Sequence, residues 1–227
     1  MRSWMIIARA GVLLALVMLA ACAASEPSRF YTLSPQAPAE AAGAPASTGK
    51  AGRHVALSPV QVPRYLDRPQ IITRTDANTI ELAEFDKWTE PLAEMVGRVL
   101  SEDLSRRLPD ERVFLLPVRQ AVPIDRVVDT QIMRFDADAG GVVTLDARWQ
   151  VFGKDGRSLI AARDTVVQEP WGSEGGKAAL VAAMSRALSR LAADIAAALR
   201  HEPAGRRAGL SRLPSSPIPT VRATLTG

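Results

Sequence analysis

The side chains best suited to catalysis are few in this chain of 227 residues. Its two histidines, His54 and His201, border opposite ends of the predicted folded domain, each beside a segment expected to be mobile. Histidine is the usual general base near neutral pH, and an isolated pair of this kind predicts surface residues without a catalytic role. The adjacent acids Glu102 and Asp103 point in different directions on a predicted helix and are expected on its solvated face. The sequence therefore predicts no acid–base pair.

A glycine-rich segment, Gly172 to Lys177, resembles a phosphate-binding loop, because it lies between a predicted strand and a predicted helix and ends in lysine. A P-loop has four residues between its glycines and a Ser or Thr after the lysine to hold magnesium. Here only three residues separate Gly172 from Gly176, and Ala178 follows the lysine. We therefore expect a turn that opens a helix. No G-x-S-x-G motif indicates a serine nucleophile.

The single cysteine, Cys22, excludes an intrachain disulfide and a CxxC metal or redox site. It follows a stretch with the layout of a secretory signal peptide: Arg2 and Arg9 near the start, then an apolar run ending at Ala21. That run has about 12 residues, fewer than the roughly 20 that a transmembrane helix needs. Residues 19–22, Leu-Ala-Ala-Cys, resemble a bacterial lipobox. The alternatives are an uncleaved anchor and an ordinary signal peptide with an incidental cysteine.

The lipobox resemblance implies cleavage after residue 21 and covalent lipid on Cys22: a thioether diacylglycerol and an N-acyl chain such as palmitate. Each buried CH₂ adds about 0.8 kcal/mol of membrane affinity, so several chains anchor a protein essentially permanently. The resemblance to bacterial lipoproteins also implies a sorting rule, in which an Asp directly after the cysteine retains the protein in the inner membrane. In this chain the residue after Cys22 is Ala23. The expected location is therefore the periplasmic face of the outer membrane.

The charge balance argues against nucleic acid as a partner. The chain has 28 Lys plus Arg against 24 Asp plus Glu, a net charge of +4. Removal of the leader with Arg2 and Arg9 reduces the net charge to +2, too weak a field to mark a nucleic-acid-binding protein.

The chain divides into four predicted parts. A flexible tether is expected after the lipidated cysteine because the segment is rich in Pro, Ala, Gly and Ser, although Phe30 and Tyr31 suit a short strand in the domain's sheet. A disordered basic tail is expected at the other end. The predicted boundaries are 1–21 for the signal peptide, 22–53 for the lipidated Cys and tether, 54–201 for the folded domain, and 202–227 for the tail.

Apolar periodicity predicts the elements of the domain. Residues 92–108 keep helical spacing after Thr89-Glu90-Pro91, with Thr89 as the expected cap, and residues 176–200 predict a second helix. Residues 143–151 alternate apolar and polar side chains, with Trp149 in the core. Asp155-Gly156 then favours a tight hairpin to an antiparallel strand over 159–168.

Shorter strands are expected at 55–62, 70–75, 79–84, 112–116 and 127–135. The order of elements predicts an α+β fold, with a mostly antiparallel sheet and two main helices packed on one of its faces.

Residues 59–74, PVQVPRYLDRPQIITR, together with Trp88-Thr89-Glu90-Pro91-Leu92 and Arg98-Val99-Leu100, resemble the PqiC/YmbA family of ABC-type transport auxiliary lipoproteins. Residues 31–33, Tyr-Thr-Leu, resemble the family's start, and a weaker likeness continues to about residue 200. The resemblance implies a non-catalytic outer-membrane lipoprotein without a cofactor. Its implied partner is the MCE-domain protein of a PqiB-like system, thought to move phospholipid or other hydrophobic molecules between the two membranes.

The predicted partner-binding residues are Tyr65, Leu66, Asp67, Arg68 and Trp88, from their potential for exposure and from the family likeness together. Exposed sheet edges are expected to accept a partner by strand addition or to form a homo-oligomer. A structural lipoprotein that supports envelope integrity without a transport role is the alternative function. An envelope hydrolase would need a nucleophile or metal site that the sequence does not indicate.

Overall fold

The structure, a computed structural model, describes residues 26–36, 52–118 and 122–200, which form one eight-stranded sheet and two long helices. The predicted signal peptide, Cys22, His201 and the predicted basic tail lie outside the described residues. In chain order the elements are β1 (Arg29–Tyr31), β2 (His54–Leu57), β3 (Gln70–Arg74), β4 (Ile80–Trp88), α1 (Leu92–Arg107), β5 (Arg112–Leu115), β6 (Arg126–Asp138), β7 (Val142–Gly153), β8 (Leu159–Pro170) and α2 (Gly176–Arg200).

Strand β6 is paired along both of its edges. One edge pairs antiparallel with β7, which in turn pairs antiparallel with β8. The other edge pairs in parallel with β2 near its start and with β3 near its end, where Thr73 lies opposite Ala137. Between β2 and β3, Gln61 forms a parallel bridge to Gln131. The chain from β2 to β3 therefore runs parallel to β6 and pairs with it at three successive places, which are separated by loops.

The sheet is mixed, so the prediction of a mostly antiparallel sheet is wrong. Among the described strands, the parallel pairings are β1 with β4, β2 with β5, β2 with β6 and β3 with β6. Only β3 with β4 and the β6–β7–β8 meander are antiparallel. Two strands joined by a short hairpin are antiparallel, and a hairpin turn can be recognised in the sequence. Parallel neighbours are joined by longer connections, for which the sequence has no such local pattern. The α+β class with two main helices is confirmed.

Helices α1 and α2 pack against each other and cover one face of the sheet. The bounds predicted for the second helix and the predicted hairpin of β7 with β8 are confirmed. Trp149 is fully buried, as predicted, and its Nε1 donates to Thr165 Oγ1 at 3.0 Å. Thr89 is not the cap of α1, because the helix begins after Pro91 and has no side-chain capping bond.

Strand β1 attaches the N-terminal described segment to the sheet. It is only three residues long, and its side chains reinforce the backbone pairing with β4. Arg29 Nε donates to the buried carboxylate of Asp86 at 2.7 Å, and the Tyr31 hydroxyl donates to the same carboxylate at 3.0 Å. Burial opposes ionisation of Asp86, but these two hydrogen bonds outweigh it and lower its pKa.

After β1 the chain runs between the two helices. The backbone N–H groups of Leu33, Ser34 and Gln36 donate to the side chains of Met95 (2.9 Å), Ser185 (3.1 Å) and Asp103 (2.8 Å), respectively. Residues 29–36, which lie within the predicted tether, are thus part of the folded domain. Asp103 is buried, and the prediction that it lies on the solvated face of its helix is wrong, because its carboxylate holds this segment. Burial raises the pKa of Asp103.

Substitution of Leu188, on α2, tests the packing of the helices on the sheet. Its side chain is 0% exposed, so Leu188→Ala is expected to lower the free energy of unfolding by about 2–5 kcal/mol through a cavity. The control Val166→Ala removes methyl groups from a side chain that is 64% exposed on β8, and its effect should stay below about 1 kcal/mol. Urea denaturation followed by circular dichroism measures both; equal effects would contradict the packing described.

Candidate functional site

The segment that carries most of the predicted contact residues, residues 63–69, forms a loop fixed at both ends, here called the 63–69 loop. Within it, the backbone N–H of Leu66 donates to the carbonyl of Pro63 at 2.9 Å, which closes a tight turn. At its end, the N–H of Trp88 donates to the carbonyl of Pro69 at 2.7 Å and joins the loop to β4. The backbone of the loop is therefore held by the sheet.

The carboxylate of Asp136, near the end of β6, holds the middle of the loop. It is 1% exposed and accepts hydrogen bonds from the Tyr65 hydroxyl at 3.1 Å, Arg74 Nη2 at 3.0 Å and Arg134 Nε at 2.8 Å. A buried carboxylate is costly unless it is paired and hydrogen-bonded, and here two guanidinium groups and a phenol satisfy it. Tyr65 therefore supports the loop and is not a free surface residue.

Tyr65 keeps its proton through the physiological pH range. Burial and the neighbouring charge of Asp136 raise the pKa of Tyr65 to about 12. Near neutral pH the hydroxyl therefore remains protonated and donates to Asp136, and it does not act as a base there.

The five predicted contact residues are neighbours, but they have different environments. Leu66 and Trp88 are 3% and 6% exposed and belong to the hydrophobic core. Asp67 and Arg68 are exposed, and within the described residues their side chains form no hydrogen bond or ion pair. Partner contact stays a prediction for all five. The side chains exposed for such a contact are those of Asp67 and Arg68, whereas Leu66 and Trp88 belong to the core next to them.

The exposed charges border a small cavity of about 300 Å³ between the 63–69 loop and the start of α1. On its far side the carboxylate of Glu90 accepts a hydrogen bond from Arg98 Nη2 at 2.8 Å. The rim therefore alternates acidic and basic groups and suits polar side chains of a protein partner better than a single anion. The lining residues are Asp67, Arg68, Pro69, Trp88, Thr89, Glu90 and Pro91.

Sequence reasoning missed a second concave region on the sheet face that the helices leave open. This cleft has a volume of about 510 Å³ and is polar, with Asp129 opposite Gln150 and Gln131 opposite Arg148 on β6 and β7. The polar members of the alternating pattern in β7 are the signal that indicates such an open face. The lining residues are Ser58, Pro59, Val60, Gln61, Asp129, Thr130, Gln131, Arg148 and Gln150.

The segment from Gly172 to Lys177 forms the turn that opens α2, as expected. Gly172 and Gly176 have φ angles of 66° and 63°, the left-handed region that favours glycine. Lys177 is half-buried and its Nζ donates to Thr73 Oγ1 at 2.6 Å, while burial lowers the lysine pKa. The lysine therefore serves an internal contact between α2 and β3.

The part of the chain that the structure describes offers neither a metal site nor a membrane-spanning helix. No group of three or more His, Cys, Asp or Glu side chains there is arranged to hold a metal ion. Neither helix among these residues is long and apolar enough to cross a membrane.

Comparison with known proteins places the chain in a family. The family model described as "ABC-type transport auxiliary lipoprotein component" matches residues 31–196, and the chain belongs to this family. It is therefore a transport auxiliary component of the lipoprotein class, a membrane-anchored class of the cell envelope. No curated protein sequence matches the chain.

Solved structures that share the fold include the following two. An uncharacterized protein is 18% identical with a TM-score of 0.63, and the match covers 77% of this chain and 99% of the other. Protein XCC0632 from Xanthomonas campestris, of family DUF330, is 17% identical with a TM-score of 0.61, covering 74% and 93%. At these identities the likeness shows the fold alone.

Removal of the Asp136 carboxylate is expected to loosen the 63–69 loop. Asp136→Ala leaves two guanidinium groups and the Tyr65 hydroxyl without their acceptor, which should lower the free energy of unfolding by about 1–3 kcal/mol. Hydrogen exchange at the amides of residues 66–68 should become faster. The control Asp164→Ala removes an exposed partner of Arg148 and should cost less than about 1 kcal/mol. Unchanged exchange in the Asp136 variant would contradict the role given to this carboxylate.

The raised tyrosine pKa predicts a loss of stability in alkali. An unfolded tyrosine titrates near pH 10, whereas Tyr65 in the folded chain has a pKa of about 12. The folded state binds this proton more tightly, so the contribution is complete below about pH 10 and is lost between about pH 10 and 12. Tyr65→Phe should make this decline shallower, and Tyr31, whose pKa burial also raises, contributes in the same direction. Phenolate absorbance that titrates near pH 10 for both tyrosines would contradict this.

Proposed function

We propose that this chain is the accessory docking component of an MCE-type system that moves phospholipid or other hydrophobic molecules between the inner and outer membranes. In this proposal, acylated Cys22 anchors the protein to the periplasmic face of the outer membrane, and the folded domain binds the system's MCE-domain protein. The observation that carries the proposal is the match of the transport auxiliary lipoprotein family over residues 31–196. By holding one end of the system at the outer membrane, the protein supports envelope integrity.

The anchor and the domain are close together in the sequence. Cys22 stands seven residues before Arg29, the first residue of β1. With Ala23 after the cysteine, the sequence favours outer-membrane delivery. Anchoring raises the local concentration of the domain at that membrane, so even a modest affinity for the MCE-domain protein is sufficient to keep the two together.

The 63–69 loop is the surface we propose for docking. Its backbone is fixed to β4 and its centre to Asp136, so binding costs little conformational entropy. It presents one acid and one base, Asp67 and Arg68, which form no ion pair within the described residues. Charges of both signs on a rigid surface favour a complementary pair on a partner and disfavour wrong partners.

Site-specific photo-crosslinking in the native host tests the docking surface. A photoreactive amino acid at Asp67 or Arg68 is expected to crosslink the MCE-domain protein, whereas the same probe at Asp164, an exposed acid on β8, is not. Reversal of both charges, Asp67→Arg with Arg68→Asp, should weaken crosslinking from a neighbouring position such as Arg64.

Two outcomes would contradict the proposal. Crosslinking that is equally strong from Asp164, or unchanged after the double charge reversal, would show that the docking surface lies elsewhere. Absence of the MCE-domain protein from every crosslinked product would favour a structural envelope lipoprotein without a transport role.

A further inference from the structure

We infer that β1 and the exposed side chain of Phe30 form a membrane-contact surface, which holds the domain in one orientation on the bilayer that anchors it. The ligand of this surface is the headgroup region of a phospholipid bilayer. The inference rests on the proposed lipid anchor at Cys22.

The length of the chain limits how far β1 can lie from the anchor. Only residues 23–25 separate Cys22 from Glu26, the first described residue. A residue spans at most about 3.6 Å, so Glu26 lies within about 14 Å of Cys22 and Arg29 within about 25 Å. The headgroup layer of one leaflet is roughly 5–7 Å thick. Residue 26 therefore lies at or just above the lipid headgroups whatever path the connecting residues take.

Strand β1 and the segment that follows it are fixed to the rest of the domain. Arg29 and Tyr31 bind Asp86, and the following residues bind side chains of both helices. Because β1 is fixed to the sheet and the next segment to α1 and α2, a constraint on β1 is a constraint on the whole domain.

Phe30 has the exposure and the position expected of a membrane-contact residue. Its side chain is 64% exposed, although burial from water would be favourable for so large an apolar group. Arg29 and Tyr31 share the Asp86 side of the sheet, so Phe30 projects to the other side, where it lies opposite Lys87 in the β1–β4 register. Lys87 forms no ion pair within the described residues. Phe beside Lys is a combination found where protein segments lie on a bilayer: the apolar ring enters the boundary between headgroups and acyl chains, and the lysine stays with the headgroups.

The bilayer is favoured over a second copy of the chain as the occupant of this edge. A three-residue strand offers few backbone groups for strand addition by another protein, and β1 pairs only with β4 among the described strands. The bilayer, in contrast, is within reach of β1 at all times because of the short connection to Cys22.

The single native cysteine makes the test direct. In the lipidated protein the Cys22 sulfur is blocked by its thioether, so a cysteine introduced elsewhere is the only thiol. Phe30→Cys and Val166→Cys place a fluorophore at two positions of equal exposure, 64%, on different edges of the sheet. The full-length lipidated protein is reconstituted in vesicles of phosphatidylethanolamine and phosphatidylglycerol. Quenching is measured with aqueous iodide and with a nitroxide carried on lipid.

The expected result is that iodide quenches the label at position 30 several-fold less than the label at position 166, and that the lipid-borne nitroxide quenches only the former. Lys87→Cys keeps Phe30 and provides a second test if Phe30→Cys does not fold. Its label should also be shielded from iodide, and the addition of Phe30→Ala should remove that shielding.

Three outcomes would overturn the inference. Equal quenching at positions 30 and 166 in a vesicle-bound protein would reject the contact surface while leaving the anchor intact. Shielding at position 30 that persists in detergent without a bilayer and grows with protein concentration would indicate a second copy on β1. A wild-type protein whose Cys22 thiol reacts freely and which does not float with vesicles would reject the anchor itself, and with it the proposed function.

Discussion

The domain is organised by the requirement that both edges of β6 be paired, since buried backbone N–H and C=O groups are costly to leave without partners. Strand β7 satisfies one edge. No single neighbour is long enough for the other edge, which is paired in turn by β2, by the bridge at Gln61 and by β3. The chain must therefore leave β6 between Gln61 and β3, and the 63–69 loop is formed there. Asp136, on β6 itself, then holds that loop in place.

Elements with strong local periodicity could be predicted from the sequence, and elements defined by distant contacts could not. The alternation in β7, the Asp-Gly turn and the apolar stripe of α2 are local, and their predicted positions agree with the structure. Parallel pairing depends on residues far apart in the sequence and has no local pattern. The same reason applies to Asp103, a helical acid whose carboxylate accepts from the backbone of Gln36. It also applies to Asp136, because two of its three donors, Tyr65 and Arg74, lie more than 60 residues away in the sequence.

The candidate site shows a similar division. Asp67 and Arg68 could be singled out from the sequence because two charges beside a proline suit an exposed loop, and both are exposed. The family resemblance singled out three further residues, which are not exposed in the same way. Leu66 and Trp88 are buried, and the Tyr65 hydroxyl binds the buried carboxylate of Asp136. Tyr65 and Trp88 hold the loop that carries the two charges, through the Asp136 carboxylate and the Pro69 carbonyl. The described domain thus presents a polar loop whose backbone is held by the sheet, close in sequence to the cysteine of the proposed lipid anchor.

Purification of the lipidated, full-length chain from detergent-solubilised envelopes of its native host tests the central claim most directly. The account predicts that an MCE-domain protein, identified by mass spectrometry, co-purifies with the chain at a constant ratio across one chromatographic peak. A chain that carries its lipid and yet elutes alone, with no MCE-domain protein in any fraction, would contradict the docking function.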